Sequence, residues 1–165
     1  MTTAEAAGTR TRIGPVQIAV ILLALATASI HLYIFLIEGF LSGLSSEEQQ
    51  GPIYQVLFAG NFFGYVTLLC ALYLPIALLA RFRPVVRTFI IAMAVASIFS
   101  YYDVGFIDTI GNVTKIIEVL LIVMLTVDAA ISGQGGARGI ALAGAQLVIG
   151  CVVGYLMFLP LMPLI

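Results

Sequence analysis

The chain has 165 residues, 62% of them hydrophobic and 9% charged, with a formal net charge of −1. A soluble domain carries about 25% charged residues, and a chain this small has too much surface for its volume to hide so much apolar side chain from water. That excludes an ordinary water-soluble domain, and the near-neutral charge gives no basic footprint for nucleic acid.

The N-terminal arm, residues 1–15, reads "MTTAEAAGTRTRIGP". It is polar and small-residued, which predicts disorder up to Pro15, a residue suited to the first turn of a helix. A bilayer core of about 30 Å needs about 20 apolar residues in a helix. Five runs meet that length, at 16–37, 53–80, 85–102, 113–131 and 139–160. Helices are expected because backbone groups in lipid must pair internally and the runs lack barrel-type alternation. The first run exceeds the roughly 7–15-residue core of a signal peptide and no A-x-A site follows, so a retained anchor is expected.

Within "SIHLYIFLIEGF", the end of the first run, lie His31, the only histidine, and Glu38. Ala24, Ala28, His31, Phe35 and Glu38 fall within about 80° on a helical wheel, a stripe that should face protein. The second run carries Gln55 and Asn61 near its start and a GxxxG at Gly60 and Gly64; the third carries Ala92 and Ala96 and leaves through Ser100, Tyr101, Tyr102 and Asp103. The fourth enters with Asn112, Lys115 and Glu118 and holds Asp128 near its far end, where it is expected to face water or Arg138. The fifth places Gly139, Ala143, Gly150 and Gly154 within about 60° of one face and ends in "LPLMPLI", a support facing lipid or a partner. Cys70 and Cys151 sit in apolar runs without a CxxC and read as small hydrophobes.

Charge sets an orientation. Arg10 and Arg12, then Arg81, Arg83 and Arg87, then Arg138 occupy alternate connections; Glu38, Glu47, Glu48, Asp103 and Asp108 occupy the others. Basic residues stay in the cytoplasm. The expectation is an all-α integral membrane bundle of a cytoplasmic (inner) membrane: five transmembrane helices, N-terminus cytoplasmic, C-terminus outside, one domain over 16–165. On that orientation His31 lies about 9 Å below the outer surface. His31, Glu38, Asn61, Tyr101, Asp103, Lys115 and Glu118 then share the outer half and form a candidate outer-leaflet ligand pocket. Each also has a plain structural role. Tyr101 and Tyr102 suit an interfacial belt. Glu38 and Asp103 suit snorkelling to water, and Lys115 and Glu118 suit pairing with each other. Asn61 suits an interhelical hydrogen bond, and His31 one to Asn61, Tyr101 or a carboxylate.

One histidine excludes bis-histidine haem within a single chain and leaves open a His/Met pair or a haem shared between chains. No HExxH, activated serine, Walker or dinucleotide pattern is present, so no catalytic residue or metal site is assigned and the reading leans away from an enzyme. A quinone or lipid headgroup suits a pocket at this depth, needing an apolar slot and a few hydrogen bonds. Proton-coupled transport through His31 and Glu38 is weakened by a midplane nearly free of polar groups.

A first span ending in a polar residue, the stretch "VLFAGNFFGYVTLLCALYLP" and the entry "KIIEVLLIVML" together resemble the small DoxX-like membrane proteins. That resemblance covers the first four spans and implies a four-helix protein, in some cases tied to quinone- or thiol-linked redox systems; the fifth span departs from it. The leading expectation is a non-catalytic accessory or interaction subunit of a membrane complex. The alternatives are a quinone-, lipid- or haem-associated redox protein and, after that, a small proton-coupled transporter. Expected partners are membrane lipids, other membrane subunits or a second copy, and quinone; no cofactor is assigned.

Overall fold

The structure, a computed structural model, describes residues 13–41, 52–104, 107–132 and 136–163. Its regular elements are all helical: α1 (Pro15–Tyr33), continued by π-helical turns over Ile34–Leu41, then α2 (Pro52–Tyr73), α3 (Ala77–Ala80), α4 (Arg83–Val104), α5 (Thr109–Ser132) and α6 (Gly136–Phe158). Five segments are long and apolar enough to cross a bilayer: Pro15–Ile37, Gln55–Tyr73, Arg83–Asp103, Thr109–Ser132 and Gly136–Phe158. The chain is therefore a multi-pass helical membrane protein. Apart from residues 13–15, the N-terminal arm lies outside the described residues.

The helix ends follow local chemistry. Pro15 opens α1, where its missing N–H costs nothing, and the Gly14 amide donates to Gln17 Oε1 at 2.9 Å. The second span stops at Tyr73 rather than running on to residue 80. Pro75 has no N–H and disfavours a helical Leu74, and Ile76 is extended at φ −104°, ψ 118° before the short α3. The fourth span starts at Thr109, earlier than residue 113, because Asp108 caps it: its Oδ1 accepts the Gly111 amide at 2.7 Å.

Helices α1, α2, α4 and α5 form a closed ring of neighbours, and α6 packs outside it against α4 and α5. Consecutive spans alternate in direction. One end of the bundle thus gathers the starts of α1, α4 and α6 with Arg83, Arg87 and Arg138; the opposite end gathers His31, Tyr101 and Asp108. The ring interior is apolar in its middle, with Val20, Ala24, Leu69, Leu72, Ile90, Leu121 and Leu125 buried. Large apolar side chains such as Leu22, Phe63, Phe89, Ile116 and Val148 point outward. Water would penalise that distribution; hydrocarbon does not.

Without a hydrophobic drive between helices, contact depends on close approach. The predicted face of α6 supplies it: Gly139, Ala143, Gly150 and Gly154 are all buried. A Cβ on Gly154 would sit 2.5 Å from the Ala92 carbonyl oxygen, and one on Gly150 would sit 2.6 Å from Ile91 Cγ2. The α4–α6 pairing is the most extensive in the molecule. The GxxxG of α2 behaves differently. Gly64 faces the Met93 side chain, but a Cβ on Gly60 would meet nothing within 4 Å, because Gly60 borders a cavity.

Candidate functional site

At the end of the bundle away from the arginines, α5 turns Glu118 into the ring, where it is fully buried. A carboxylate there needs partners for both oxygens. Thr27 of α1 and Tyr65 of α2 donate their hydroxyls to Oε1, each at 3.2 Å. Lys115, one turn earlier on α5, donates to Oε2 at 2.7 Å. The same ammonium reaches α4, donating to Ser97 Oγ at 2.5 Å and to the Ser97 carbonyl at 3.2 Å. Three bonds use all three ammonium protons. The cluster thus ties all four ring helices together through one neutralised pair of charges.

His31 completes it. Its Nδ1 lies 2.8 Å from the Thr27 carbonyl oxygen, an acceptor only, so Nδ1 carries the proton. Nε2 is left as the second functional atom and sits 3.9 Å from Glu118 Oε1, too far for a direct hydrogen bond. The ring is held between Phe58 and Tyr65, with centroids 6.0 Å and 6.2 Å away.

Beside the cluster opens a cavity of about 690 Å³, within the size range of small-molecule sites. His31, Ser97 and Lys115 of the cluster line it, and Asn61, Tyr101 and Asp108 are further polar lining residues. Val56, Leu57, Phe58, Met93 and Met157 make much of the rest apolar. It lies between α2 and α4, the ring neighbours that touch least, and the exposed Val56 forms its outer lip.

Of the predicted pocket residues, His31, Lys115 and Glu118 come together, with Lys115 and Glu118 paired as their spacing implied. Asn61 borders the cavity without entering the cluster: among the described residues the expected hydrogen bond to His31 is absent. Tyr101 also borders it, but its hydroxyl takes the Asp108 amide at 3.0 Å and donates toward the Asp108 carbonyl at 3.1 Å, fastening the α4–α5 connection. Asp103 is exposed and lies off the cavity. Glu38 falls in the π-helical turns, and its side chain lies outside the described residues.

Three members escaped the sequence reading: Thr27, Tyr65 and Ser97. Each sits four residues from a residue that was singled out, namely His31, Asn61 and Tyr101, and so shares its helix face. Hydroxyl residues are common in membrane helices, and only that shared face could have marked them.

A second polar cluster corrects the expectation for Asp128. It does not face water or Arg138; it is 1% exposed. Arg87 donates to its Oδ2 through Nε and Nη2, both at 2.7 Å, and Gln17 Nε2 donates to Oδ1 at 2.6 Å. Arg87, in the second turn of α4, is buried facing Asp128 near the end of α5. The ten residues from Glu118 to Asp128 separate the clusters by about 15 Å, filled by the fully buried Leu121 and Leu125.

Among the described residues no group of three His, Cys, Asp or Glu side chains is placed to hold a metal ion. Cys70 and Cys151 are free and exposed. Comparisons with protein-family models, with curated proteins and with solved structures give no match. The resemblance to DoxX-like proteins therefore rests on the layout of the spans alone.

Proposed function

We propose that this chain binds an amphiphilic small molecule, quinone-like or lipid-like, in the cleft between α2 and α4. Carrying this reading is the cavity itself: an apolar slot of about 690 Å³ whose inner end is a buried hydrogen-bonding cluster. Buried charge within a membrane is expensive and marks functional sites more often than scaffolding. On the positive-inside orientation, the head of the ligand sits in the outer leaflet of the cytoplasmic membrane and its tail runs along α2.

Other readings draw less support. An accessory subunit would offer a partner a small-residue helix face, but the face on α6 packs against α4 within the chain. Transport needs a polar route, and the apolar layer at Leu69, Leu121 and Leu125 separates the two clusters.

Native mass spectrometry of the chain released from mild detergent tests the reading. Gly60→Phe fills the cavity from a position where a side chain has open space. The wild type is expected to carry a small amphiphile that this variant lacks. Equal occupancy in both, or none in the wild type even after lipid and quinone are added, would overturn it.

A further inference from the structure

Resting on that cavity, we infer that its occupant is an uncharged amphiphile whose head presents a hydroxyl, read by His31 Nε2. The first part follows from charge. Lys115 is the cation at the polar end, and its charge is already met by Glu118 at 2.7 Å. Its three protons are also all engaged. A carboxylate or phosphate head would find neither a free positive charge nor a free ammonium proton. It would bring an unpaired charge into a dry site, which is costly. A cationic head beside His31 fares no better, because Glu118 does not line the cavity and Asp108, the lining carboxylate among the described residues, is exposed and already holds the Gly111 amide.

The second part follows from the histidine. With Nδ1–H committed to the Thr27 carbonyl, a neutral ring offers Nε2 as an acceptor. Glu118, the neighbouring acceptor, is fully buried and does not line the cavity, so of these two acceptors His31 Nε2 is the one that a ligand head meets. A head-group oxygen facing Nε2 must bring its own proton. A hydroxyl does so; an ether, ester or quinone carbonyl would set one lone pair against another. The quinol form of a quinone-like ligand, or a lipid alcohol, satisfies the site, and the oxidised quinone does not.

Probes with one tail and four heads test this on the intact chain in maltoside micelles: oleyl alcohol, its methyl ether, oleyl sulfate and oleyl trimethylammonium, with bound fractions read by native mass spectrometry. The alcohol is expected to bind about tenfold more tightly than its ether, the worth of one hydrogen bond in a dry site, and more tightly than either ion. His31→Phe is expected to erase that advantage; the alcohol–ether comparison on the wild type stands even if this variant does not fold. If alcohol and ether bind equally, the hydroxyl is not read and the inference fails while the cavity reading survives. Tightest binding of the sulfate or the ammonium overturns the neutral-head argument with the same consequence. If none of the four is retained, the inference and the cavity reading fall together.

Discussion

Tyr65 donates its hydroxyl to a carboxylate buried inside the ring of helices, 3.2 Å from Glu118 Oε1. A hydrogen bond to a buried charge is worth about 1.5–3 kcal/mol. Tyr65→Phe should lower stability by that order in SDS-titration unfolding while helicity by circular dichroism is kept; an unchanged midpoint would mean the carboxylate has another donor. The opposite cluster makes a sharper case, because Arg87 supplies Asp128 with its counter-charge. Arg87→Met strands a buried carboxylate, at a cost of about 3–5 kcal/mol. Asp128→Asn in the same background should recover part of that loss, and no recovery would mean the pair does not interact as placed. His31 was legible in the sequence because it stands alone in its type. Asp128 was misread because its depth near a helix end was visible and its rotation toward Arg87 was not. Spacing within one helix gives a face. Only packing gives what that face meets.

At the scale of elements, two glycine pairs of identical spacing have different fates. Gly150 and Gly154 admit the α4 backbone, with the Ala92 carbonyl oxygen where a Gly154 Cβ would be. Gly60 admits nothing and borders empty space. Gly154→Leu is expected to lift α6 from α4, seen as a large loss of stability and new protease sensitivity before α6, whereas Gly60→Ala should leave the unfolding midpoint within about 0.5 kcal/mol. A tolerated Gly154→Leu would remove the close crossing. The five spans were legible because bilayer thickness sets a length that composition must match. Their ends were less so: Pro75 cuts the second span and Asp108 starts the fourth, local effects that hydropathy does not see. The separate fate of the two glycine pairs was beyond the sequence, since it depends on Met93 and the α2–α4 gap across the bundle.

For the whole molecule, alternating spans put residue 82 and residue 107 at opposite ends of the bundle. With Cys70 and Cys151 replaced by alanine, a cysteine at Phe82 should label only from the cytoplasm and one at Ile107 only from outside, following the arginine distribution. The reverse result would invert the molecule while keeping the bundle. What the functional account needs most is that Lys115 and Glu118 are held inside protein rather than reaching to water. A double-mutant cycle measures this by SDS-titration unfolding in one detergent, with Lys115→Met, Glu118→Leu and both together. The account predicts a loss of about 3–5 kcal/mol for each single change, with most of it returned in the double variant, as for a buried pair replaced by apolar side chains. Two small, additive losses would contradict it, because they would place both charges in water and leave the cavity without its polar end.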